Sequence, residues 1–383
     1  MTHTTPSADR PVSEHMAVNL LWCVPGAVGG SEQYLARQLV GLADGTDDFA
    51  PTLYCPDGFV EAHPELDERF EMVTASINGS DRTRRVFTEH TWLARRTAGA
   101  SLVHHGGGTA PAFGGGPVVL TIHDLQYETY PDYLHPIKLR YLRSVMPRSV
   151  SRASVIAVPT QYVRSTVIDR FDVDPDQVVV VRHGVEPDLG TRAGEADELR
   201  DRFGLGAGPV LVLPAVTHRH KGHRFLLEVM AEHWTDPDLR LVLLGGVGAA
   251  EAEIAAAVET LGLADRVVRT GRVGDADRDG LVRLADALVF PSEYEGFGAP
   301  VVEAMALGTP VICSDQPALG EVVGDAGVVL PLVRDAWSDA LAVVERRRDR
   351  LVADGHRRAL DFTSVSSGSD LAAAYRLALA TGR

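Results

Sequence analysis

Short apolar runs alternate with longer segments in which apolar positions recur every three or four residues, almost throughout the chain. The runs at 18–24, 50–54, 101–104, 118–122, 154–158 and 178–181 read as strands, and 31–42, 88–98, 136–151 and 160–171 as helices. The pattern then restarts. Strands are expected at 210–214, 239–244, 267–270, 287–290 and 310–313, and helices at 224–232, 249–261, 278–285 and 300–306. Strands apolar on both faces need helices on both sides, which is the signature of a parallel sheet. Two such series predict two doubly wound, Rossmann-like α/β domains facing across a cleft, and 383 residues is enough chain for both.

A Pro-, Gly- and acid-rich stretch at 184–208, with a short helix near 197–203, holds the connection. The expected divisions are a polar tail at 1–15, a first domain at 16–185, a linker at 186–208 and a second domain at 209–365. A final helix at 366–383 is expected to pack back toward the first domain. Ligands of open α/β sheets sit outside the carboxyl ends of the strands, so the informative residues should follow strands directly.

Charge narrows the partners. The net charge of −15 argues against a nucleic-acid binder. Residues 82–152 nevertheless carry ten basic against four acidic side chains. Lys138, Arg140, Arg143 and Arg148 lie on the expected helix 136–151, alternating with apolar residues. Such a helix can meet an anionic membrane surface or an anionic ligand. It reads first as an ordinary amphipathic helix with its apolar face in the core. Only two lysines, Lys138 and Lys221, stand among 37 basic residues, which hints that arginine does not serve at those positions. Cys23, Cys55 and Cys313 are scattered and make neither a disulfide framework nor a metal cluster. No apolar stretch approaches the ~20 residues that span a bilayer. The tail lacks an apolar signal core, so the cytoplasm is the expected location.

Four post-strand loops carry candidate chemistry. Gly26-Ala27-Val28-Gly29-Gly30-Ser31 opens the first helix, where free amides and the helix dipole suit an anion; the alternative is a tight turn capped by Ser31. His123 ends an apolar strand and could bond a substrate hydroxyl, or pair with Asp124 for structural reasons. Pro214 to His223 brings His218, Arg219, His220, Lys221 and His223 together, a density that a phosphate-rich ligand would explain. Pro291 to Met305 places Glu295 and Glu303 around Gly296-Phe297-Gly298, with Pro300 suited to a helix start. A capping box at Ser292 and Glu295 would force a helix through two glycines and a proline. Glu303 could instead complement a helix dipole in its first turn. Asp277-Arg278-Asp279 has the form of some metal sites but reads as a helix cap. Gly245-Gly246-Val247-Gly248 is a weak dinucleotide turn, because Glu251 replaces the third glycine.

Together these segments resemble glycosyltransferase family 4, the retaining, nucleotide-sugar-dependent enzymes of the GT-B fold, mannosyltransferase-like members included. The resemblance runs from about Val18 to Leu379. Its most specific part is Glu-x7-Glu from Glu295 to Glu303, continuing to Val311 and through Gly320 to Gly327. It implies a nucleotide diphosphate sugar as donor substrate on the second domain, an acceptor hydroxyl on the side of the first domain, and no cofactor or metal. It implies that Gly29 and Gly30 approach the donor diphosphate or the acceptor, and that Lys221, with Arg219, neutralises the leaving diphosphate. Glu295, Gly296 and the amides of Phe297 and Gly298 would hold the donor sugar, Glu303 the ribose, and His123 the sugar again. His123, Glu295 and Lys221 would be the catalytic set. Two departures stand out. Ala215-Val216-Thr217 occupies the place of the usual Gly-Arg pair, and Arg182-His183-Gly184-Val185 that of the usual Pro-Asn-Gly-Val. Another GT-B nucleotide-sugar enzyme, such as an epimerase or coupling enzyme, and a catalytically silent partner are the alternative readings.

Overall fold

The computed structural model describes residues 15–25, 30–46 and 48–382. The first sheet holds β1 (Met16–Asn19), β2 (Thr52–Pro56), β3 (Met72–Ala75), β4 (Leu102–His105), β5 (Val118–Thr121), β6 (Val155–Val158) and β7 (Val178–Val180). Their spatial order is β3-β2-β1-β4-β5-β6-β7, and every pairing is parallel. The second sheet holds β8 (Val210–Pro214), β9 (Arg240–Leu244), β10 (Val267–Gly271), β11 (Ala287–Phe290), β12 (Val311–Ser314) and β13 (Val328–Leu330). It is ordered β10-β9-β8-β11-β12-β13, again parallel. The order reverses between β1 and β4 in one sheet and between β8 and β11 in the other. Ligand crevices open at such reversals.

Both sheets are buried on both faces, as their continuous apolar runs require. In β4 the alternation of side chains sends His104 to one face, against Thr121 and Tyr375, and His105 to the other, against Asn19. The final helix, Ser364–Thr381, lies on the first helix, Gly30–Gly45, and adds Leu371, Ala372, Tyr375 and Ala378 to the core of the first sheet. The crossing is tight enough that a Cβ on Gly368 would sit 2.0 Å from the Gly41 carbonyl carbon. The chain passes between the domains twice, and the two crossings touch. The Val185 amide donates to Phe362 O (2.8 Å) and the Ser364 amide to Val185 O (3.0 Å).

Several local expectations are corrected. The segment expected as one helix at 88–98 begins earlier, at Arg82, because the Asp81 carboxylate caps it through the Thr83 and Arg84 amides. It then passes through a π-helical turn at Glu89–Leu93. β3 and β13 were not expected, since short, partly exposed edge strands lack a full apolar run. Ser31 lies inside the first helix and does not cap it. Asp277 and Asp279 lie inside the helix Asp275–Leu284, where Asp277 pairs with Arg202 and Asp279 accepts from the Gly190 amide. In the helix Pro136–Arg152 only Met146, Ser149 and Val150 are buried, and Ile137 is 75% exposed. Leu139 and Leu142 pack half-buried against the same core, so the apolar face loses contact with it only in the first turn, at Ile137.

Candidate active site

The crevice of the second domain is built by the loops after β8 and β11. After β8 the chain makes a 3-10 turn, Arg219–Lys221, and reverses at Gly222 with φ 70° before the helix His223–Glu232. That turn aims Lys221 at the other loop. Its Nζ donates to Glu295 Oε1 at 2.7 Å and lies 5.6 Å from the centre of the Phe290 ring. Both side chains are largely enclosed, so the pair is far less screened than a surface pair. Arg219 is not part of it; its guanidinium is exposed and faces Glu253 at 3.6 Å. His220 is held neutral, pushed down to about 3 by burial and then by Lys221. His223 is pushed down to about 4, also mainly by burial.

After β11 no helix starts at Ser292, so the capping-box alternative is excluded. The helix begins at Ala299, behind Gly298 at φ 94°, with Pro300 in its first turn. Among the described residues, the amides of Phe297 and Gly298 make no hydrogen bond. Two free amides at a helix N-terminus, one side chain from a lysine, form a ready anion site. The Phe297 ring is buried and edges onto Phe362, so what this residue offers a ligand is its backbone.

The first domain docks on this same loop. Thr160 Oγ1 donates to Gly296 O (2.9 Å), the Leu125 amide to Tyr294 Oη (3.2 Å) and Tyr133 Oη to Glu293 Oε2 (2.6 Å). A Cβ on Gly296 would sit 2.1 Å from the His123 carbonyl oxygen, so only glycine permits this approach. His123 follows β5. Its Nε2 donates to Gly106 O at 2.8 Å, which leaves Nδ1 as the acceptor. Burial lowers its pKa, so the ring is neutral, and Nδ1 is buried with no partner among the described residues. His123 does not pair with Asp124, whose Oδ1 accepts from the Gln126 amide instead. An orphaned acceptor of this kind suits a substrate hydroxyl. Gly30 opens the first helix with clear space around it, while Gly29 lies outside the described residues.

Glu303 departs from expectation. It sits beyond the first turn of the helix Ala299–Ala306, so it is no dipole partner. Its Oε1 accepts from Arg37 Nη1 at 2.7 Å, across the domains. Burial would raise its pKa, but Arg37 and then Arg278 hold the carboxyl below the usual range. Arg37 also donates through Nε to Glu186 at 2.6 Å. Beside this bridge His183 is stacked between Tyr34, at 3.4 Å between ring centres, and Phe297, at 4.5 Å. Burial, then His123 and Arg37, keep His183 neutral. Arg37 carried no sequence signal beyond a charge within a helix that buries most of its surface, and Glu186 none beyond a charge in the acid-rich connecting segment. His183 was visible only as a departure from the family pattern.

Two facing Rossmann-like domains, with these groups at their strand reversals, define the GT-B class. The pattern described as Glycosyl transferases group 1 matches residues 196–350, and that of Glycosyltransferase Family 4 matches 28–189. A 2-deoxystreptamine N-acetyl-D-glucosaminyltransferase of Streptomyces fradiae is 30% identical over 85% of this chain and 86% of its own. The chain belongs to this glycosyltransferase family. O-antigen chain mannosyltransferase B of Escherichia coli is 30% identical over 55% of this chain. The MMP alpha-(1->4)-mannosyltransferase of Mycolicibacterium hassiacum is 32% identical over 56%. Those two matches span 56% and 52% of the relatives' own lengths, roughly half of each. Among solved structures, Anabaena HepE in complex with UDP and glucose superposes with a TM-score of 0.75 at 18% identity, over 94% of this chain and 99% of that one. The glycosyltransferase WaaG gives 0.69 at 17% identity, over 94% and 99%. Both similarities speak to the fold.

Proposed function

We propose that this protein transfers a hexose-type sugar from a nucleotide diphosphate donor to an acceptor hydroxyl, with retention and without a metal, in the cytoplasm. The observation that carries this reading is the Lys221–Glu295 pair beside the two free amides at Phe297 and Gly298. The family supplies the reaction class. The relatives' names include mannosyl- and N-acetylglucosaminyl-transferases, and the HepE structure holds UDP and glucose, which supports a sugar nucleotide as donor.

The chemistry follows from charge placement. The bond from the anomeric carbon to the diphosphate breaks as the acceptor oxygen bonds to the same face. The acceptor proton passes to the departing phosphate oxygen, so no protein nucleophile is needed. Lys221 and the free amides stabilise charge that grows on the diphosphate, and Glu295 holds the sugar. The neutral His123 accepts a hydrogen bond from a sugar hydroxyl at Nδ1. Closure excludes water that would otherwise hydrolyse the donor. Hydrolysis of a panel of nucleotide sugars tests the reading. Turnover of at least one donor that persists in EDTA is expected. No turnover of any donor, or turnover restored only by Mg²⁺ or Mn²⁺, counts against it.

A further inference from the structure

We propose that Arg37, on the first helix of the acceptor-side domain, is a positioning residue for the donor's ribose. It grips one oxygen of Glu303 and leaves the other to receive the ribose hydroxyls. The inference rests on the transferase reading and on Glu303 as the ribose ligand.

The geometry is specific. Arg37 is 6% exposed and uses two different nitrogens, Nε to Glu186 and Nη1 to Glu303, at 2.6 and 2.7 Å. A planar guanidinium holding two carboxylates fixes the rotation of both. Among the described residues, no hydrogen bond falls on Glu303 Oε2. Glu303 keeps 17% of its side-chain surface, so it is not sealed away. A carboxylate free to rotate would lose entropy on binding a diol; one already clamped loses little. Arg37 and Arg278 both also line a cavity of about 640 Å³ between the first helix, the linker and the helix Asp275–Leu284, so open space lies beside the bridge. Glu186 belongs to the segment leaving the first domain. The ribose seat is therefore complete only when the two domains and their connection are together.

The test measures UDP and GDP against their 2′-deoxy forms by titration calorimetry. The native protein is expected to bind its preferred ribonucleotide at least about tenfold more tightly than the deoxy form. Arg37→Met is expected to reduce that preference below about threefold with little change in affinity for the deoxy form, and Arg37→Lys to give an intermediate value. The double variant with Glu303→Gln should lose nothing further. Equal weakening of both forms by Arg37→Met, or an undiminished preference, overturns the proposal and leaves the transferase reading standing. No ribose preference in the native protein overturns the Glu303 assignment and this proposal together. Thermal melts accompany each variant, and Arg37→Lys decides if the Met variant does not fold.

Discussion

Three side chains divide the proposed reaction between them, and each leaves a different kinetic trace. Lys221 meets charge that appears only as the diphosphate departs. Lys221→Ala is expected to lose at least about 2 kcal/mol of transition-state stabilisation, read as kcat/KM on the preferred donor. Unchanged efficiency in a folded variant would remove Lys221 from the mechanism. Glu295 shares the Lys221 ammonium and in the proposed reaction holds the reacting sugar, so Glu295→Gln should chiefly lower kcat. Glu303, tied to Arg37 away from that pair, should act on binding, and Glu303→Ala should chiefly raise the donor KM. Steady-state kinetics with the reverse assignment would show that the two carboxylates have been given the wrong parts.

Helices and loops set how closely these side chains meet. The loop after β11 is both the proposed donor cradle and the docking point for the first domain, and its contact with His123 has no room for a methyl group. Gly296→Ala must push the His123 carbonyl away, and with it the first domain. The expected outcome is a fall in kcat of an order of magnitude or more with a smaller change in melting temperature, because the substitution disturbs closure and not either core. A large loss of melting temperature would instead mark Gly296 as a folding residue. The crossing of the first and last helices is different in kind. Gly368→Leu overpacks a buried contact and is expected to cost about 3 kcal/mol of stability, seen in thermal or urea unfolding. An unchanged midpoint would mean that the helices can separate there at no cost.

The fold as a whole has an unequal response to pH. His104 and His105 are pushed down to about 3, His220 also to about 3 and His223 to about 4, in every case mainly by burial. Each is neutral when folded and protonates in the unfolded chain near 6.5. Stability from these groups is therefore full above about pH 6.5 and is lost as pH falls toward their folded values, by about 1.4 kcal/mol per group one unit below the unfolded pKa. His63 runs the other way. Burial opposes its charge, but Glu32 and Glu65 outweigh burial and raise it to about 9. Its contribution is full below about 6.5 and fades as pH rises through 9. Burial also lowers His123, His183 and His218, so the depressed histidines outweigh His63 and predict a steeper loss of melting temperature from pH 6.5 to 5 than from 7.5 to 9. A symmetric profile would contradict the buried neutral histidines.

Apolar strand runs and periodic helices were legible because burial on both faces of a sheet is written residue by residue along the chain. The loops of Lys221 and of Glu295 to Gly298 were legible for a related reason. Glycine, proline and a rare lysine directly after a strand are local signals, and they carry the family pattern with them. Edge strands such as β3, with mixed exposure, gave too weak a period to read. The early start of the helix at Arg82 rested on a cap, Asp81, outside the apolar pattern. What no stretch of sequence holds is distance between remote positions. Arg37 and Glu303 are separated by 266 residues, and their ion pair exists because two sheets, a shared crossing at Val185 and a returning final helix bring the domains face to face. Short-range physics selected the elements and the loops. The choice of which buried charges meet came from long-range packing, where a carboxylate in low dielectric is stable only beside the cation that the other domain delivers.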